Sequence, residues 1–271
     1  MKNQKEKIKK LQRVVWAHYK KNGRRLQWRD TIDPYWIVVS EIMLQQTQVP
    51  RVIEKFPEFI KAFPTFRELA TASDTAVLRH WQGLGYNRRG LYIKRIAEIV
   101  TKNHGGQLPQ DRATLERFPG IGPNTAGSIL AFAFNLPEIF IETNVRTVFL
   151  HHLFPKKIGV TDKELLPLIE EALPKKRARQ WYWALMDYGT FLKKQFKNPS
   201  RASAHHTKQS KFEGSHRQVR GATLKTVLAG KNHTAESLSE LLPFELRKIQ
   251  QALDELFSEG FIKFTHGRYH N

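Results

Sequence analysis

Apolar residues recur at spacings of three and four along most of the chain, so helices dominate the expected structure. Ile8, Leu11, Val15 and Tyr19 mark an amphipathic helix over 5–20, ended by Gly23. Asp33 suits the cap of a second helix, which begins near Pro34 and carries Trp36, Val39, Ile42 and Met43. Helices over 50–63, 65–79 and 91–104 follow, with Phe56, Phe59, Phe63, Phe66 and Leu69 as core and Gly105-Gly106 as a stop. Asp111 caps a short helix whose apolar side is Leu115 and Phe118. Another, rich in small and apolar residues, spans Asn124 to Phe134, and two more cover 161–174 and 175–194. Beyond a linker around 198–214, helices are predicted over 218–228, 235–242 and 244–259. The last is striped by Ile249, Leu253, Leu256 and Phe257, and Gly260 closes it. FIKFTHGRYHN then alternates as two short strands around His266-Gly267.

Composition narrows the partners. A formal charge of +20 over 271 residues and a pI near 10.1 call for a polyanion, nucleic acid before a membrane surface. No apolar run approaches bilayer length and MKNQKEKIKK lacks a signal-peptide core, so the expected location is the cytoplasm, on the nucleoid. With no cysteine, disulfides, thiolate zinc sites and cysteine-ligated iron–sulfur clusters are excluded. His205-His206 reads as a polar linker and not as a metal site, since no further ligands stand at suitable spacing.

Candidate chemistry centres on Pro119-Gly120-Ile121-Gly122-Pro123. Two glycines shape a hairpin, Ile121 anchors it, and Pro123 opens the next helix. Free N–H groups at such a helix start suit a phosphate, although a purely structural turn would look the same. Glu142 follows in IETNVRTV, and Glu41 sits inside the otherwise apolar turn SEIMLQQTQV. Glu41 is either an ordinary salt-bridged glutamate or, in a dry pocket, an acid whose raised pKa lets it donate a proton near neutrality.

FPGIGPNTAGSIL with IETNVRTV, together with SEIMLQQTQV and WQGLGY, resembles the helix-hairpin-helix DNA glycosylase superfamily, and its MutY-like branch most. The resemblance covers about the first three quarters of the chain. It implies a mainly α, two-lobed glycosylase body over 1–197, acting on double-stranded DNA that carries a mispair or lesion, with no membrane partner and as a monomer. Glu41 would protonate a purine leaving group. Glu142, with Asn144, would stabilise a cationic sugar and place water. Arg24, Leu26, Trp28, Asn124 and Asp187 would line the base pocket, Asp187 being otherwise a helix-end carboxylate. The DNA contacts implied are Gln45 and Gln46 in the gap left by the flipped nucleotide, Tyr86 wedged beside the opposite base, Arg88, and Gly120, Ile121, Gly122, Asn124 and Thr125 on a backbone phosphate, with a monovalent cation on the hairpin carbonyls. The plainer alternatives are helix-end glutamines and a core tyrosine beside two solvated arginines.

The chain departs from the family pattern in four places. Glu142 stands where an aspartate is expected. Asn124 replaces the lysine of bifunctional members, which removes that route to a Schiff base. Lys193 occupies the first cluster-cysteine position, and the basic segment after it is expected to supply phosphate contacts instead. The tail is too short for a Nudix-like domain; three helices and a hairpin over 215–271 follow the plan of a winged helix, which would grip DNA or else dock a protein. The expectation is a monofunctional glycosylase that removes adenine opposite 8-oxoguanine or guanine. Thymine or uracil excision from mispairs with guanine, and non-catalytic DNA binding, are the alternatives.

Overall fold

The computed structural model describes residues 2–196, 198–204, 211–230 and 232–271; His205-His206 lies outside them. In chain order the helices are α1 (Lys2–Asn22), α2 (Pro34–Leu44), α3 (Val49–Ala62), α4 (Phe66–Thr71), α5 (Asp74–Trp81), α6 (Arg88–Asn103) and α7 (Arg112–Glu116). They continue as α8 (Pro123–Phe134), α9 (Thr143–Leu153), α10 (Asp162–Ala172), α11 (Ala178–Gln195), α12 (His216–Leu228), α13 (Ala235–Leu241) and α14 (Leu246–Ser258). The antiparallel strands β1 (Lys263–Thr265) and β2 (Arg268–His270) end the chain, with Phe264 opposite Tyr269. His266 and Gly267 form the turn at positive φ, 50° and 73°, as the sequence predicts. The chain divides into two compact units, residues 1–41 with 109–208 and residues 42–108 with 209–271.

Local chemistry fixes several boundaries. Asp33 accepts from the Tyr35 N–H at 2.9 Å and Asp111 from the Thr114 N–H at 2.8 Å, so both predicted caps form. The single helix expected over 65–79 is two. Ala72 turns extended, and Ser73 starts a new helix by accepting from the Ala76 N–H. α9 was not expected, because its sequence mixes β-branched residues and histidines. Burial of Val145, Val148, Phe149 and Leu150 overrides that weak propensity. Of the hairpin glycines only Gly120 needs its freedom, at φ 77°; Gly122 is extended, and a Cβ there would meet nothing within 4 Å.

In the first unit α1 lays Ile8, Leu11 and Val15 into a core shared with Phe149, Trp181, Leu185 and Leu192. Two glycines set the spacing of this unit. A Cβ on Gly127 would come within 3.0 Å of the Phe140 side chain, and one on Gly189 within 2.6 Å of the Asn144 carbonyl oxygen. Bare backbone therefore lets the 135–142 segment lie on α8, and α9 lie on α11.

In the second unit α12, α13 and α14 share one core with Leu78 of α5 and Leu91 of α6, through Val219, Leu224, Leu238, Ile249, Leu253 and Leu256. Phe257, expected on the same stripe, is about half exposed and packs edge-on against Phe264. Gly90 passes under Trp81, where a Cβ would sit 2.9 Å from the indole.

Candidate functional site

The first unit gathers both candidate acids. α2 is apolar on nearly every face, with Ile37, Val38, Val39, Ile42 and Met43 buried, and Glu41 is its charged exception. Ser128, buried on α8, donates from Oγ to Glu41 Oε2 at 2.6 Å. Burial pushes the Glu41 carboxyl up to about 7. The Ser128 hydrogen bond opposes that rise, the charge of Glu142 adds to it, and Arg29 weakly opposes it. Glu41 thus holds a proton near neutrality and feels the second carboxylate.

Glu142 is placed by the backbone. Asn124 Oδ1, at the start of α8, accepts from the Ile141 N–H at 3.1 Å and so pins the residue before it. Glu142 then caps α9, its Oε1 accepting from the Asn144 N–H at 2.9 Å and the Val145 N–H at 3.1 Å. Asn144 Nδ2 donates to Glu142 Oε2 at 3.2 Å, while Asn144 Oδ1 accepts from Thr190 at 3.4 Å. The contact at Gly189 sets this carboxamide, so α11 positions the orienting group of the Glu142 carboxylate.

Asp187 is neither a helix-end carboxylate nor free to face a ligand. It is buried in α11 and receives Arg24 through N–H at 2.8 Å and Nε at 2.6 Å, and Arg29 through both terminal nitrogens at 2.9 and 3.0 Å. Burial pushes its carboxyl up, but the hydrogen bonds and charge of Arg29, with those of Arg24, outweigh that, and the net shift is downward. Leu26 and Trp28 lie buried in the stretch these arginines hold. Half-buried Lys193 stands one turn beyond Gly189. Burial lowers its ammonium against the pull of the nearby Glu142 charge.

At the hairpin, Ile121 is buried as the sequence predicts, and Gly122, Pro123 and Asn124 are exposed at the N-terminus of α8. Thr125 follows, half-buried, its carbonyl accepting from Ser128 Oγ at 3.0 Å.

The second unit holds the remaining candidates. Gln46 and Tyr86 are non-glycine residues at positive φ, 55° and 47°. Arg89 staples their two loops together. Its Nη1 donates to the carbonyls of Ile42 at 2.8 Å, Met43 at 3.0 Å and Gln45. Its Nη2 reaches Thr47 Oγ1 at 3.0 Å and the Leu84 and Gly85 carbonyls at 2.9 Å each. Burial brings its guanidinium down to about 10. The alternative of two solvated arginines beside Tyr86 is therefore wrong for Arg89. Arg88 pairs with Glu259 at 3.0 Å, and Tyr86 is exposed.

Sequence reasoning missed Ser128, Arg29 and Arg89. The first leaves a trace as a lone hydroxyl in the apolar run AGSILAFAF. The arginines leave none, because a buried arginine and a surface one look alike in sequence.

Among the described residues no group of three histidine or acidic side chains could hold a metal ion, and no helix is long and apolar enough to cross a membrane.

Similarity to known proteins agrees with this geometry. The chain is 35% identical over 182 residues to an adenine DNA glycosylase of Buchnera aphidicola, covering 65% of this chain and 50% of that protein. It is 38% identical over 133 residues to the Mycobacterium tuberculosis enzyme of that name, covering 49% and 44%. It therefore spans about half the length of these relatives. Among solved structures, a thermostable thymine-DNA glycosylase superposes with a TM-score of 0.60 at 23% identity, covering 68% of this chain and 86% of that one. Endonuclease III trapped on DNA gives 0.59 at 17% identity, covering 69% and 86%, and shares the fold. The family model described as HhH-GPD superfamily base excision DNA repair protein matches residues 39–175, which run from just before Glu41 to beyond Glu142, and the chain belongs to that superfamily.

Proposed function

We propose that this chain is a monofunctional DNA glycosylase that hydrolyses the N-glycosidic bond of a flipped adenine opposite 8-oxoguanine or guanine. The observation that carries this reading is Glu41, desolvated, pushed up to about 7 and under the field of Glu142. A carboxyl that is about half protonated at neutral pH can give its proton to a ring nitrogen of the departing purine. The bond electrons then leave with the base, and positive charge develops on the sugar at C1′ and its ring oxygen. Glu142, fixed by three N–H donors, supplies the opposing negative charge. Water adds to C1′ and loses a proton, which completes hydrolysis. The logic is that of paired carboxylates in glycoside hydrolysis.

Support for adenine comes from the relatives' names together with the Glu41 context. Asn124 presents a carboxamide where Schiff-base chemistry needs an amine, and it is occupied in bracing Ile141. The hairpin at Gly120–Gly122 fits a backbone phosphate, because the open space at Gly122 lets an anion reach bare backbone. The family resemblance adds a monovalent cation on the hairpin carbonyls, as counter-charge for the phosphate.

The test is release of base from labelled duplexes, read as strand breaks after hot alkali. Breaks at adenine opposite 8-oxoguanine or guanine are expected, with a loss of at least about 100-fold in Glu41→Gln. Breaks only at thymine or uracil opposite guanine, or none at all, would overturn the adenine reading.

A further inference from the structure

Between Gly127, packed against Phe140, and the apolar residues Ile129 to Ala133, α8 buries the hydroxyl of Ser128. Its Oγ stands within hydrogen-bond distance of two acceptors, Glu41 Oε2 at 2.6 Å and the Thr125 carbonyl at 3.0 Å. A hydroxyl has one hydrogen to donate and two lone pairs, so it serves one of these oxygens at a time. The carbonyl alone would satisfy it, as a helical serine can bond back to the preceding turn. Alanine would fill the same space with better helix propensity and no polar group to desolvate. Packing therefore does not require the contact with Glu41.

The two acceptors differ in kind. The Thr125 carbonyl accepts and never donates, whereas the carboxyl changes with its proton. Against the carboxylate, the hydroxyl turned to Oε2 makes a charge-assisted bond, for which 2.6 Å is an ordinary length. With a proton on Oε2 the direction reverses: the carboxyl donates to Ser128 Oγ, and the serine hydrogen goes to Thr125. A rotation about one bond thus matches Ser128 to both forms of the acid. Among the described residues this is the one hydrogen bond of the carboxyl, and Glu41 is partly exposed, so Oε1 is left for a ligand. Of the charged groups around Glu41, Glu142 adds to its proton affinity and Arg29, held by Asp187, subtracts from it, both through space.

We infer that Ser128 is a positioning residue for the acid: it holds Oε2, leaves Oε1 to the departing base, and turns its hydroxyl from Thr125 to the carboxylate as the proton is given up. This rests on the glycosylase reading. In the step itself the Oε1–H bond breaks, the hydrogen joins a ring nitrogen of the base, and the bonding pair stays on the carboxylate. The Ser128 O–H bond remains intact and only changes its acceptor. The new bond is stronger after the transfer than before it, which favours the transfer.

The experiment compares the full chain with Ser128→Ala and Ser128→Thr, each checked for cooperative melting. Titration of Glu41 is followed by NMR of carboxyl-labelled glutamate, with Glu41→Gln assigning its signal. Base release from adenine opposite 8-oxoguanine is timed in single turnovers from about pH 5 to 9. The unaltered carboxyl should titrate at about 7. Ser128→Ala removes a donor to the charged form, so the midpoint should rise by about one pH unit. Base release should slow about tenfold on the acid side, where Glu41 is protonated in both proteins, and its decline should begin at higher pH. Ser128→Thr keeps a hydroxyl that can reach the same carbonyl, and should bring the rate back to within about twofold. A slower rate with an unmoved midpoint would make Ser128 a packing residue and overturn the inference, as would a midpoint that moves down. Should Ser128→Thr crowd the helix and melt at a lower temperature, Ser128→Ala decides alone. No base release by the unaltered chain would remove the glycosylase reading and the positioning role with it. Base release together with an unmoved midpoint would remove the positioning role alone.

Discussion

Each unit buries an arginine, and the two are accommodated in opposite ways. Arg29, in the first unit, meets the buried carboxylate of Asp187 in a two-pronged ion pair that also holds Arg24. Arg89, in the second, is surrounded by neutral oxygens, five carbonyls and a hydroxyl, and its Nε has no acceptor. Asp187 cancels one of the two arginine charges and leaves one positive charge shared by Arg24 and Arg29, whereas a ring of dipoles disperses the charge of Arg89 and cancels none of it. The first arrangement reduces the positive field beside Glu41, so that Arg29 opposes the rise of that carboxyl without undoing it. The second suits a surface meant for phosphates, where leftover positive field assists binding. On the proposed glycosylase reading, the difference lets one basic chain hold an acid in one unit and offer a positive surface to DNA with the other.

Removing Arg89 should produce the larger effect. Arg89→Met leaves six oxygens without their donor and releases two strained loops, for a loss of about 5 kcal/mol in denaturant unfolding. Arg89→Lys should recover little, because one ammonium has three donors on a flexible stem. A loss under about 1 kcal/mol would mean that water replaces the arginine and that the dipole cage is incidental.

Asp187→Asn comes next, at about 3–4 kcal/mol, because it strands two guanidinium groups, one of them deeply buried. A second change, Arg29→Met, should return part of that loss, which an independent pair of sites would not do. The Asp187 carboxyl is depressed in the folded state. Its stabilising contribution is therefore present at neutral pH and is lost as the pH falls through that lowered value. A pH profile of unfolding that is flat on the acid side in wild type and in Asp187→Asn alike would contradict this.

Glu41→Gln is the mildest for folding, and it acts in the opposite direction. The folded-state value near 7 lies above the ordinary 4.5, so ionising Glu41 opposes folding. That penalty is absent below about pH 4.5, grows between there and 7, and is complete above 7. The variant should be more stable than wild type by about 2–3 kcal/mol at pH 8 and equal to it near pH 4. In wild type, adenine release should decline above pH 7 as the same proton is lost. A variant no more stable at pH 8 would show Glu41 to be well solvated.

Sequence displayed the features that depend on neighbours a few residues away. Asp33 and Asp111 cap because each stands at the start of a helical run, and Ile121 is buried because the left-handed turn at Gly120, between Pro119 and Pro123, carries it inward. Glu41 stood out as a charge in an apolar helix. Features set by distant segments stayed hidden. α9 forms because α11 covers it at Gly189. Asp187 is consumed by arginines more than 150 positions earlier, and Arg89, in the polar-looking WQGLGYNRR, turns inward because two loops present carbonyls to it. Phe257 follows its stripe on paper yet turns to Phe264.

The shared core of the second unit also has a consequence for how the protein is made. Leu78 and Leu91 leave the ribosome early, but the helices that cover them arrive only after the intervening 109–208 segment, about a hundred residues. At roughly 5–20 residues per second, that is a wait of about 5–20 s with greasy surface uncovered. The first unit, whose own last segment is finished before residue 209, can complete itself during the interval. A ribosome that stalls before α14 would release a chain with one finished half and one open half, which invites clumping and proteolysis.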